Sequence, residues 1–186
     1  INLGVLYVRQ RQPDNALQAL NRALEINPDS FAAHFNKGEA LTQKGDLKNA
    51  IESYRKSVQL RPDLHNFRLA LGTAYWRLGD RASAEQEFSG LMNGPFAAEA
   101  YRNLGMLHGQ AGEPDRAIEY LRQAASIRNI YPDAHHDLGI AYLQKQMSNE
   151  AIEQFRIALA QQPGHGPASL NLALAYQLRG DLETAR

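Results

Sequence analysis

His135 and His136, with Asp133 and Asp137 beside them, place four metal-ligating side chains within five positions. A divalent ion needs three or four donors converging on one point. Neighbours on a helix point about 100° apart and cannot close on one ion together. No third ligand stands at a suitable spacing, so no metal site is expected and His135 reads as a packing residue. A second group is a series of amides: Asn2, Asn36, Asn103 and Asn171, interrupted by Ala70 and Asp137. Each Asn offers a donor and an acceptor. Repeated along one wall, such side chains pair with successive peptide units of an extended chain whatever its side chains. Arg179-Gly180-Asp181 spells an integrin-type tripeptide, but it falls where turns recur in the chain and reads as a turn. Serines are few and stand at no informative spacing from histidine. No nucleophile elbow, phosphate loop or zinc-protease helix is present. No catalytic residue and no cofactor is expected.

The elements that must hold these residues announce themselves by period. Glycines stand at 4, 38, 72, 105 and 139, and alanines at 16, 50, 84, 117 and 151. Two small-residue series locked to one step of 33 or 34 residues define a repeat array. Apolar residues recur at helical spacing, as in Leu17, Leu20 and Leu24. The reading is helices in pairs. First helices are expected near 1–10, 30–44, 64–78, 97–111, 132–145 and 166–179. Second helices are expected near 13–26, 47–60, 81–92, 114–128 and 148–161, with a stub from 182. Gly45-Asp46, Gly79-Asp80, Gly112-Glu113 and Gly180-Asp181 mark the turn inside each pair. The glycine takes a left-handed conformation, and the acid sits near the positive end of the next helix. Pro28, Pro62 and Pro163 follow second helices and stop their growth.

With these residues in place the chain resembles the tetratricopeptide repeat family. The family pattern is Leu-Gly, an aromatic three residues on, a later Ala, a large apolar residue four beyond it, and Pro near the end. Leu138-Gly139, Tyr142, Ala151, Phe155 and Pro163 show it in full, and Leu71-Gly72, Tyr75, Ala84 and Phe88 show most of it. The resemblance implies an all-α fold, a right-handed α-solenoid of stacked antiparallel helix pairs. It covers one array over 1–186, with units near 1–30, 31–64, 65–97, 98–131, 132–165 and 166–186. The first and last units look cut, so the chain reads as part of a longer protein. The family's Trp position holds His34, Arg68, Tyr101, His135 and Ser169 instead. The third unit is a residue short around Asn93-Gly94-Pro95, and the fourth ends in Arg128-Asn129-Ile130-Tyr131-Pro132. Both junctions are expected to disturb regular stacking. The Gly and Ala series are expected where paired helices cross closely.

The resemblance further implies a concave groove lined by first helices, with a peptide or partner segment along it. The lining expected here comprises the amides Asn2, Asn36, Asn103 and Asn171 with Asp137, the residues Phe35, Arg102 and His136 one place earlier, and Glu39, Met106 and Ile140 three places later. Trp76 and Arg77 stand nearby, and Phe35 or Trp76 is a candidate anchor. Leu69 and Leu170 read as core. The basic clamp of chaperone-tail-binding members is missing, since Ile1, Val5, Phe35, Glu39, Leu69 and Thr73 hold its positions.

Charge agrees with a protein ligand. Lys plus Arg equals Asp plus Glu at 20 each, so no overall field draws nucleic acid. Cysteine is absent, and no apolar run approaches a membrane span. Compartment is left open between cytoplasm and periplasm. The first reading is a non-enzymatic interaction scaffold. The alternative is a substrate-recruiting domain of a larger enzyme such as a glycosyltransferase or sulfotransferase. Exposed apolar ends add the expectation of end-to-end self-association.

Overall fold

A computed structural model describes residues 1–180. They form eleven helices and no strand: α1 Asn2–Arg9, α2 Pro13–Ile26, α3 Phe31–Lys44, α4 Leu47–Leu60, α5 His65–Leu78, α6 Arg81–Ser89, α7 Ala97–Gln110, α8 Pro114–Ile127, α9 Pro132–Gln144, α10 Ser148–Gln161 and α11 Gly166–Arg179. The expected stub from 182, Asp181 of the last turn and Ala185 of the sixth repeat lie outside the described residues. The chain divides into two compact units, Ile1–Phe96 and Ala97–Arg186. In each, successive helices pack as antiparallel pairs and the first helices of adjacent pairs touch, α1 on α3 and α7 on α9.

The small-residue series lie where the sequence places them. Ala16, Ala50, Ala84, Ala117 and Ala151 have no exposed surface. Each glycine of the companion series lies under the large side chain of its own second helix. A Cβ on Gly38 would meet Tyr54 at 2.6 Å, and one on Gly139 would meet Phe155 at 2.5 Å. Backbones approach this closely only because the side chain is missing. Leu20, Tyr54 and Phe88 in the first unit, and Leu121 and Phe155 in the second, are thereby buried to 2% exposure or less.

Turn chemistry ends the first helices. Gly45 and Gly79 adopt φ of 81° and 89°, the left-handed region that glycine enters without steric cost. Asp46 and Asp80 then accept the backbone N–H groups of Asn49 and Ser83 at 3.3 and 3.1 Å, capping α4 and α6. Arg11 and Gln146 take the same left-handed place with φ of 55° and 60°. Glu113 departs from the series: its carboxylate pairs with Nδ1 of the fully buried His108 at 2.7 Å instead of capping α8.

α6 corrects the expectation of a helix reaching residue 92. It stops at Ser89, because Ser89-Gly90 and Asn93-Gly94-Pro95 favour turns over helix. The Leu91 N–H tightens onto the Phe88 carbonyl at 2.9 Å, and a further turn closes from Gly94 to Leu91 at 3.1 Å. The other irregular junction is tied down. Tyr131 is buried, its backbone N–H donates to Gln161 at 2.8 Å, and Arg128 stacks on its ring at 4.7 Å. Arg128 also pairs with Glu99.

Successive pairs are fastened by a set of side chains. Arg55, Arg122 and Arg156, on second helices, donate to the hydroxyls of Tyr75, Tyr142 and Tyr176 on the following first helices, at 2.5, 2.6 and 2.5 Å. Lys44 reaches back to Asp14 at 2.6 Å, and Lys145 to Asp115 in the same way.

Candidate functional site

The first helices carry the expected columns; the first unit brings Glu39 and Arg77 to one groove, and the second brings Arg102, His136, Asp137 and Asn171 together beside Met106 and Ile140. In the first unit Asn2 is exposed and Asn36 half-buried. The Asn36 amide donates to the Ala32 carbonyl of its own helix at 2.7 Å, leaving its oxygen free to accept. Phe35 stacks on Phe67 at 4.3 Å and tilts against Tyr54 at 5.5 Å, so its ring is largely spent on packing α3 to α5. Trp76 is half-buried with its ring edge-on to Phe88 at 6.5 Å. Arg77 is exposed. Glu39 accepts the Tyr54 hydroxyl at 2.6 Å, and Thr42 meets the same hydroxyl at 3.2 Å. Burial and the bond to Glu39 push the Tyr54 phenol far above its ordinary pKa, so it stays a donor.

In the second unit Arg102, Asp137, His136 and Asn171 form one polar chain across α7, α9 and α11. The Arg102 Nε donates to Asp137 Oδ2 at 2.6 Å, and its Nη1 lies 3.6 Å from Asp133. Burial alone would lower the guanidinium's pKa; the two carboxylates outweigh it and hold it above the ordinary value. The Asn171 amide donates to His136 Nε2 at 3.0 Å. That nitrogen must accept, so the proton sits on Nδ1, which donates to Asp137 Oδ1 at 3.2 Å. No linear spacing marks this chain, because it depends on residues a repeat apart meeting across helices. Asn103 is half-buried and makes no side-chain hydrogen bond to another described residue. His135 turns away to Gln154 at 2.9 Å, while Asp133 accepts from His165 at 3.1 Å. The two adjacent imidazoles thus serve different partners, and no metal-binding group of three or more ligands occurs among the described residues.

An open groove runs between neighbouring first helices in each unit. In Ala97–Arg186 it holds about 170 Å³ and is lined by Met106, Gly109, Asp137, Ile140 and Gln144 over Leu121. In Ile1–Phe96 it holds about 220 Å³ and is lined by Glu39, Thr42, Ala70, Thr73 and Arg77 over Tyr54. These are the same positions of the repeat, residue for residue, two repeats apart. Their chemistry differs. The groove of Ile1–Phe96 is floored by a hydrogen-bonded Tyr-Glu-Thr set, that of Ala97–Arg186 by aliphatic carbon and a bare glycine. Leu69 is half-buried beside the groove of Ile1–Phe96, but Leu170 stands 75% exposed, against the expectation that it is core. It falls on a side of α11 that no described helix covers.

The tetratricopeptide repeat family model matches residues 1–65, 69–134 and 136–186. The chain belongs to the tetratricopeptide repeat family, whose members are generally protein–protein interaction scaffolds. It is 24% identical over 198 residues to the human protein O-mannosyl-transferase TMTC1, covering all of this chain and 22% of that protein. It spans from 18% to 34% of the length of the first curated relatives it matches. Among solved structures, the type IV pilus biogenesis factor PilW superposes with a TM-score of 0.86 at 19% identity, over 99% of this chain and 86% of that one. YrrB, a TPR protein with an unusual peptide-binding site, superposes with a TM-score of 0.66 at 23% identity, over 91% and 88%. No helix among the described residues is long and apolar enough to cross a membrane.

Proposed function

We propose that this chain is a non-enzymatic scaffold that holds an extended peptide or partner segment against its first-helix faces. The observation that carries the reading is the recurrence of the groove at identical repeat positions in both units. The half-used amide of Asn36 and the unengaged amide of Asn103 supply backbone-directed donors and acceptors along these faces. Asn2, Asn171 and Asp137 extend the column, and Glu39, Arg77, Arg102, Met106, His136 and Ile140 border it. Phe35 and Trp76 offer the ring surface left over from packing. The peptide-binding site named for YrrB lends the reading analogy at the level of fold.

An array of random 12-residue peptides probed with the protein tests this. Binders are expected to lose affinity in the Asn36→Ala, Asn103→Ala double variant while the melting temperature stays within a few degrees. Equal affinity in the double variant removes the amide column from the account. Binding that also survives filling the grooves, by Ala70→Trp and Gly109→Leu together, removes the groove reading.

A second reading has one observation in its favour. The chain covers only 22% of a relative named as a mannosyl-transferase. In that setting the same grooves recruit substrate for chemistry elsewhere in a longer protein, and the flanking sequence decides between the two.

A further inference from the structure

The groove between α7 and α9 has a chemistry of its own. Its walls are Met106 and Ile140, Leu121 lies beneath over Gly105, and the bare backbone of Gly109 leaves it open. Gly109 has room: a Cβ there would make ordinary contact with Ala117 at 3.6 Å. The volume of about 170 Å³ resembles the ~150 Å³ cavities that admit a benzene-sized molecule. One charged side chain lines it among the described residues, Asp137. Gln144 stands at the rim and donates to the Gly109 carbonyl at 3.4 Å.

Asp137 holds the close pairing with Arg102, at 2.6 Å, and Asp133 the longer one, at 3.6 Å, so two carboxylates face one guanidinium. Arg102 is the cation of this cluster, and it is shared between Asp137 and Asp133. His136 already donates its one N–H to Asp137. The neutral-imidazole form of the cluster therefore holds one net negative charge. Each Asp137 oxygen accepts one hydrogen bond from this set, and a carboxylate oxygen can accept two. An acidic ligand meets a cation that is already paired and a surplus carboxylate. A basic ligand finds acceptor capacity beside an apolar slot.

We infer that this groove takes a lysine side chain of the bound segment, its methylene stem against Met106 and Ile140 and its ammonium on Asp137. Lysine suits the shape because its stem is apolar and unbranched while its head is a compact donor. The corresponding groove of Ile1–Phe96 lacks this pairing: Ala70 replaces Asp137, Thr73 replaces Ile140, and Arg77 replaces Gln144. The inference deepens the scaffold reading and rests on it.

Amide-resolved NMR of the whole chain tests it, with N-acetyl-lysine methylamide as probe and N-acetyl-norleucine methylamide as its uncharged counterpart. The lysine probe is expected to shift the Gly105 and Gly109 amides saturably in the millimolar range. It should bind about five-fold more tightly than the norleucine probe, the scale of a partly exposed ion pair. Asp137→Asn should erase that advantage and leave norleucine binding as it was. Gly109→Leu should abolish both and leave the Arg102–Asp137 pair intact, which keeps the test sound should Asp137→Asn disturb α9. Equal binding of the two probes overturns the lysine inference while the groove survives as an apolar slot. No shift with either probe overturns the inference and withdraws this groove from the scaffold reading as well.

Discussion

At Gly139 and Gly109 the same substitution should act in opposite directions. Alanine at 139 puts a methyl 2.5 Å from the Phe155 ring, inside a packed crossing. Overpacking of this kind costs about 1–3 kcal/mol, more than the ~1 kcal/mol that alanine gains over glycine in a helix. At 109 the new methyl makes ordinary contact, so the helix gain stands alone and the variant should be up to about 1 kcal/mol more stable. Urea denaturation of both variants measures the contrast, and a destabilised Gly109→Ala would undo it. The crossing glycines were legible because one backbone register forces a small residue at each close approach, and that repeats in sequence. The tyrosine column was legible too, but not its partner. Arg55, Arg122 and Arg156 each stand five residues after the repeat alanine, a recurrence that does not by itself name the tyrosine it serves. Tyr142→Phe removes the acceptor for two Arg122 donors at 3.0 and 2.6 Å and should cost about 1 kcal/mol. A double-mutant cycle with Arg122→Ala should return most of that as coupling.

Helix ends carry the next set of consequences. Ser30 is buried and caps α3 through the Ala33 N–H at 3.3 Å. Ser30→Ala should lower stability by about 1 kcal/mol, read from the urea midpoint. In the turn between α4 and α5 the Arg61 fork takes both oxygens of Asp63 at 2.7 and 2.6 Å. That hydrogen bonding lowers the Asp63 pKa from 3.8 to about 2. A carboxylate with a depressed native pKa adds stability above its unfolded value and loses it as pH falls through the native one. Stability should therefore drop between about pH 4 and pH 2, and Asp63→Asn should flatten that part of the profile. Helix bounds followed the sequence closely except at α6, where the helix-compatible Leu91 and Met92 gave way to the turn-formers on either side, Ser89-Gly90 and Asn93-Gly94-Pro95. The polar chain from Arg102 to Asn171 was not legible at all. Its members fall in two columns, Asp137 with Asn171 and Arg102 with His136, and nothing in a linear pattern states which rotamers bring the columns together.

On the scale of the whole chain, equal numbers of acidic and basic residues leave no net field. Single-stranded RNA should accordingly show no salt-dependent affinity in a filter-binding titration; a steep loss of binding with salt would reverse that. Family membership was legible along nearly the entire length because each repeat restates the same packing problem. Ligand chemistry was not, since matching groove positions hold Glu39 in one unit and Met106 in the other. The single tryptophan, Trp76, lies on α5 edge-on to Phe88. Indole emission is thus a private signal of residues 1–96, whereas far-ultraviolet dichroism sums both halves. Melting followed by the two optical methods compares the half with the whole on one unmodified sample, without any label.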